Sequence, residues 1–448
     1  MKFDQELYNT VLEAAKSFEE SLDSRPVTPS ADAIKALNYF EEPLTDDGTD
    51  ALNVINMLRD VGEPGIVSSR GGRYYGFVTG GALPVAVAAN WMAGSWDQNA
   101  GPMVCSPTSA KIEEVAGAWV LDILDLPVDA GFGFVTGATM AGFTALSAAR
   151  LKIYKNLGYD LKADGIRNAP KIRFVMSEEI HPTNIIALQY MGYGKNEFEF
   201  VPCDDQGRII VEQIPALDDH TIVLLQAGNV NSGAFDPFDQ VCDLAKDTGA
   251  WVHVDGAFGG WVKASKEKRH LTNGMERADS WSIDCHKWLN VPYDSAISIC
   301  RDKVAMQDTF GLRASYLVEG VMREGSHFTP ELSRRARGIE IWAALKYLGK
   351  EGLGNIIDRT CGFASEFADE LEAMGFEILN DVVINEVVAT MDDESKLEGF
   401  IQKVQQSGKT WFGPTTWKGR SGFRISISSH ATTAKDIEIA LDAIKDAL

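Results

Sequence analysis

Between about residues 80 and 325 the chain alternates short apolar, β-branched runs with stretches of helical texture. GFGFV (131–135) precedes TMAGFTALSAARLKIYKN, KIRFVMS (171–177) precedes PTNIIALQYMG, and TIVLLQA (221–227) precedes PFDQVCDLAKDTG. EFEFV (197–201), WVHVDGA (251–257), WSIDCH (281–286) and SAISICR (295–301) are further apolar runs of strand length. Near-continuous apolar strands between helices predict an α/β fold with a mostly parallel sheet covered on both faces. In such sheets ligands sit at the carboxyl ends of the strands. Residues 1–79 read instead as a polar helical arm, broken by SRPVTPS and EEPLTDDGTD. An arm of this kind buries its apolar face on a second subunit or on its own chain. After residue 326 a long helix, PELSRRARGIEIWAALKYLG, leads to another helix and then to the separated strands FEILN, INEVVATM, TWFGPTTW and FRISISS. A last helix starts at residues 433–436 with capping-box spacing. The pattern predicts three parts: an arm (1–79), a large domain (80–325) and a smaller α+β domain (326–448).

Composition narrows the function classes. The chain has 448 residues, 45% hydrophobic and 24% charged, as in a globular protein with a sizeable core. A net charge of −22 argues against nucleic acid or an anionic membrane as a partner. The six cysteines have no CxxC and no framework spacing, which fits a reducing compartment. The first twenty residues read as an acidic amphipathic helix rather than a cleavable signal. The best apolar run, 81–94, is too short to span a bilayer and contains Pro84 and Asn90. The expectation is a soluble, cytoplasmic protein.

Candidate chemistry stands at the predicted strand ends. Lys287 lies between His286 and Trp288, where desolvation is expected to lower its pKa toward that of a Schiff-base amine. After GFGFV, residues 136–139 (TGAT) open a helix, whose free N–H groups attract an anion and where Thr139 adds a hydroxyl. The same pattern also makes a plain strand-to-helix turn. His181 opens the helix after KIRFVMS and is either a cap or a flat group against a planar ring. Asp255, on a central strand, needs a strong partner: His253 on the same side, or a cationic ligand nitrogen. Pyridoxal phosphate requires an anion cradle, an acid at its ring nitrogen, a flat group over the ring and a lysine for its aldehyde. Thr139 and its neighbours, Asp255, His181 and Lys287 meet those four needs. No metal is implied, because HExxH and CxxC are lacking and the histidines are dispersed. Neither GxGxxG nor GxSxG is present.

These motifs are similar to those of the group II pyridoxal-phosphate-dependent amino acid decarboxylases, the family of aromatic amino acid and glutamate decarboxylases. The resemblance runs from about Tyr74 to the C-terminus and implies the aspartate-aminotransferase-type fold, with a homodimer whose active site lies near the interface. HVDGA (253–257) resembles the family's HVDAA, implying Asp255 on the pyridine nitrogen and Ala257 against the ring. CHKW (285–288) resembles its HKW segment, implying Lys287 as the Schiff-base lysine and His286 near the phosphate. TGATMAGFTAL fits the phosphate loop, implying Ala138 and Thr139 as contacts, and SEEIH implies His181 stacked on the cofactor. ASYLVEG (314–320) resembles the catalytic loop, implying Tyr316 as a proton donor. GFRISISS (422–429) implies that Arg424 holds the substrate α-carboxylate, and Thr79 and Trp96 fall in the region lining the substrate pocket. The chain departs from the family at 228–233, where a Thr-rich turn is usual, and at Asp284-Cys285, where Asn-Pro is usual. The resemblance implies loss of CO2 from an L-amino acid. An aldehyde-lyase on the same scaffold and a non-catalytic cofactor binder are the alternatives.

Overall fold

A computed structural model describes residues 4–312 and 322–448. Seven strands form the larger sheet: β1 (Gly131–Val135), β2 (Arg173–Ser177), β3 (Phe198–Val201), β4 (Thr221–Gln226), β5 (Trp251–Asp255), β6 (Ser280–Asp284) and β7 (Ala296–Cys300). Their spatial order is β1-β7-β6-β5-β4-β2-β3. The five strands from β3 to β6 pair in parallel, while β7 runs antiparallel to both β6 and β1. Reversing β7 leaves β1 pointing the same way as the other five. The carboxyl ends of β1, β2, β4, β5 and β6 therefore share one edge, although β1 is first in sequence and outermost in space.

Strands β1, β4, β5, β6 and β7 are buried along their whole length, as the unbroken apolar runs require of a sheet covered on both faces. The core around them holds Phe134, Val223, Val254, Trp281, Ile283, Trp288 and Ile297. A second, antiparallel sheet follows in the chain: β8 (Glu377–Ile378), β9 (Glu386–Thr390), β10 (Gly413–Trp417) and β11 (Arg420–Ser426), ordered β10-β11-β9-β8. It has its own core, built on Phe367, Phe400, Phe412, Phe423, Ile425 and Ile437. Its last helix, Ala434–Ala447, begins with the capping box at Thr433 and Asp436.

The helix Gly338–Ala373 ties the two cores together. Ile341, Leu345 and Leu353 enter the first, and Ala364, Phe367 and Leu371 the second. Gly349, at φ 61° and ψ −179°, breaks its helical geometry and separates the two helices read from the sequence. The expectation of helix from residue 330 onward needs correction, since helix starts only at Gly338. The arginines just before it are held sideways instead: Arg334 on Glu113 at 2.6 Å and Arg337 on Asp294 at 2.9 Å. Residues 74–79 link the sheets at another point. Tyr75 N–H donates to Trp411 O, and Ser426 N–H donates to Tyr75 O. The first helix, Gln5–Ser21, has no buried residue. No helix among the described residues is long and apolar enough to cross a membrane.

Candidate active site

The shared strand edge opens into a cavity of about 380 Å³, whose lining also includes Arg424 of β11 and residues 77–78. Lys287 lies in the turn after β6, and the chain fixes that turn from several directions. Trp288 is fully buried, with its indole N–H on the Thr360 hydroxyl at 3.0 Å. Asn290 binds the Trp288 and Ser428 carbonyls through its side chain. Gly80 packs so closely that a Cβ there would lie 1.6 Å from the Lys287 carbonyl oxygen.

The Lys287 ammonium sits 3.0 Å from Asp284 Oδ2 and 5.9 Å from the centre of the Phe258 ring. Burial pulls its pKa down, but the carboxylates of Asp284 and Asp255 outweigh burial and hold it above the ordinary lysine value. The sequence-based expectation of a depressed amine is thus corrected: it overlooked Asp284, three residues back. Asp284 Oδ1 accepts no hydrogen bond among the described residues and lies 3.6 Å from His286 Nε2. His286 accepts from the Ser295 N–H at Nδ1 and stacks on Tyr293, with ring centroids 4.3 Å apart. Burial holds the His286 pKa below its ordinary value.

Asp255 ends β5, and its two oxygens are engaged separately. Oδ2 accepts from Asn184 Nδ2 at 2.7 Å, and Oδ1 accepts from the Ala257 N–H at 3.1 Å. His253 is not its hydrogen-bond partner. That ring binds Ser280 Oγ at 2.8 Å instead, and burial lowers its pKa to about 4. Asn184 belongs to the first turn of the helix Pro182–Tyr190, which His181 caps by accepting the Thr183 N–H. His181 also lines the cavity, with its backbone N–H on Gln226 Oε1. Capping and facing a ligand are therefore compatible here. Burial favours its neutral ring.

Opposite Lys287, Gly137, Ala138 and Thr139 line the cavity where the helix Ala138–Asn156 begins. No side chain caps this helix, so its first N–H groups remain open to an anion. A Cβ on Gly137 would enter the space in front of His286, 3.6 Å from its Cε1. Arg424, on β11, enters from the other sheet and donates to the Val230 carbonyl at 2.5 Å. Ala257 also lines the cavity. Thr79 sits one residue behind the lining, buried and near the Tyr293 hydroxyl. Trp96 is not brought to this cavity. It ends the helix Pro84–Trp96 and is 42% exposed. Tyr316 lies outside the described residues.

The family of pyridoxal-dependent decarboxylases (conserved domain) matches residues 35–391. The chain belongs to that family. Its reaction is decarboxylation of an amino acid, with pyridoxal phosphate as cofactor. Among curated relatives of this decarboxylase, the aromatic-L-amino-acid decarboxylase of Bacillus atrophaeus is 26% identical, covering 94% of this chain and 90% of that protein. The cysteine sulfinic acid decarboxylase of Mus musculus is 28% identical over 55% of this chain and 52% of its own. In fold, the decarboxylase is similar to crystal structures of Oryza sativa TDC with PLP and tryptamine (TM-score 0.90, 20% identity, 100% and 99% of the two chains) and of mouse CSAD (0.89, 20%, 99% and 98%). This fold is that of the pyridoxal-phosphate decarboxylases, a large mostly parallel sheet with a smaller antiparallel one.

The cavity fits the family's cofactor on its own chemistry. An uncapped helix start faces a space that a Cβ at Gly137 would enter, a braced carboxylate ends β5, and a primary amine lines the same cavity. Sequence reasoning missed Asn184, Tyr293 and Glu386 altogether and did not pair Asp284 with Lys287. A carboxylate inside the apolar strand INEVVATM was the one legible signal, since Glu386 is fully buried there, 3.7 Å from Arg424.

Proposed function

We propose that the cavity around Lys287 is the active site and that it converts an L-amino acid and one proton into the amine and CO2. The observation that carries this reading is the convergence of the Lys287 amine, the Asp255 carboxylate and the Arg424 guanidinium, from two sheets, on one cavity. When bound, the cofactor supplies an electron sink for the bonding pair left at Cα as CO2 departs. Lys287 holds it by its amine. Ala138 and Thr139, at the helix start, together with His286, hold its phosphate. Asp255, braced by Asn184, would keep a proton on the ring nitrogen, and His181 and Ala257 would lie beside the ring. Arg424 binds the α-carboxylate and orients the bond to be broken, while Tyr316 returns a proton to Cα. Thr79 acts indirectly, by fixing Tyr293 beside His286.

The test is a panel of aromatic and acidic L-amino acids offered to the loaded protein, with CO2 and amine both measured. Release of CO2 with one equivalent of amine is expected for at least one member. No CO2 from any of them refutes the proposal, and aldehyde in place of amine favours the lyase reading. Lys287→Ala is expected to abolish the yellow absorbance of the lysine-bound cofactor.

The working unit in this proposal is a homodimer in the cytoplasm. Val11, Leu12, Ala15 and Phe18 of the first helix form an open apolar groove with Leu58 and Trp91. Such a surface suits a second copy of the chain. Six free cysteines suit a reducing compartment.

A further inference from the structure

Arg424 has a buried carboxyl group behind it. Glu386, in β9, is 0% exposed, and its Oε2 lies 3.7 Å from Arg424 Nε. The same oxygen accepts from Ser426 Oγ at 2.6 Å, while Oε1 accepts no hydrogen bond among the described residues. Strand β11 contributes Arg424 and Ser426 to its surroundings, and the turn after β6 contributes the charge of Lys287. Gly233, from the turn at 228–233, packs on its Cβ and brings no charge. Glu386 does not line the cavity; the lining group it pairs with is the Arg424 guanidinium.

We infer that Glu386 is a positioning residue that sets how much of the Arg424 charge is offered to the substrate carboxylate. In its neutral form Glu386 leaves the guanidinium to the ligand, and in its ionised form it competes for it. The inference rests on the reading that Arg424 binds the carboxylate. Burial pushes the Glu386 carboxyl up to about 8, against the opposing pull of Arg424 and the Ser426 hydroxyl. The acid is thus mainly neutral at pH 7 and ionises above pH 8. Carboxylate affinity must then fall as pH rises, by about tenfold one unit above that pKa. By linkage, binding a carboxylate near pH 8 draws a proton onto Glu386.

The test is calorimetric titration of the loaded protein with 3-phenylpropanoate and with pentanedioate, two carboxylates without an amine to titrate. Measurements run from about pH 6.5 to 9.5, in buffers of different ionisation enthalpy, so that linked protons are counted. The expected result is constant affinity up to about pH 7, a tenfold loss by about pH 9, and net proton uptake near pH 8. Glu386→Gln is expected to bind equally at every pH with no uptake, and to remove the alkaline rise in KM. A flat profile in the unmodified protein overturns the inference, and so does a fall with uptake that persists in Glu386→Gln. Uptake is read on the unmodified chain, so the outcome does not depend on the variant folding. Arg424→Gln is expected to lose carboxylate binding at every pH. If it binds as the unmodified protein does, or if neither acid binds at all, the reading of Arg424 fails first and the inference falls with it.

Discussion

At the scale of single residues, the ion pair between Lys287 and Asp284 sets the charge of the amine proposed above to take up the cofactor. A protonated amine does not attack an aldehyde, so Asp284 holds Lys287 in its unreactive form. Asp284→Asn removes the nearest carboxylate and lets burial pull the amine's pKa down. Capture of pyridoxal phosphate near neutral pH is then expected to be faster, by about tenfold for each pKa unit lost. Stopped-flow absorbance of the lysine-bound cofactor measures this, and an unchanged rate would show that Asp284 does not control the amine. His253 acts on stability instead. Its folded pKa of about 4 lies below the ordinary value of 6.5, so the unfolded chain binds the proton more readily. Its contribution is complete above pH 6.5 and is lost as pH falls toward 4, in total about 3 kcal/mol. Melting temperature is expected to drop across that window, and His253→Gln is expected to flatten the drop. Lys287, Asp255 and His181 were legible because strand periodicity alone places them at strand ends. Asn184 and the pairing of Asp284 were not, because each depends on which way a turn folds back. Arg424 came from the resemblance, since its own strand contains nothing that points toward a cavity in the other sheet.

At the scale of elements, the turn bearing Lys287 depends on what packs behind it. A Cβ at position 80 would collide with the Lys287 carbonyl, a backbone atom that cannot swing aside. Gly80→Ala is therefore expected to displace the turn, costing about 3 kcal/mol or more in stability. Retention of pyridoxal phosphate on dialysis is expected to fall with it, and a variant that melts and retains cofactor normally would refute the packing argument. The sequence marked the strands to within a few residues, because full burial on both faces writes long apolar runs. It marked the start of the helix after residue 330 less well. The arginines there look helix-compatible, but their guanidinium groups are committed to Glu113 and Asp294, and those contacts are not local.

At the scale of the whole molecule, the first helix presents the apolar face proposed above for a second copy of the chain. It carries apolar residues such as Leu12, 51% exposed, and buries none of them. Leu12→Glu is expected to shift a dimer toward monomer in sedimentation analysis and to leave each protomer folded. An unchanged mass would refute the assignment of this face. The stitch between residues 74–79 and β11 has a further consequence, in the order of events during synthesis. Arg73 binds the Lys409 carbonyl through its guanidinium and accepts from Thr410 through its own carbonyl, contacts that join positions more than 330 residues apart. A ribosome-bound chain holding Lys287 has not yet made the strand against which Tyr75 pairs, so Phe77 and Val78 have no support on which to form their wall. Arg424 is not yet translated either. On the role proposed for Lys287, loading of the cofactor therefore waits for the released polypeptide, and the amine is made long before its pocket exists.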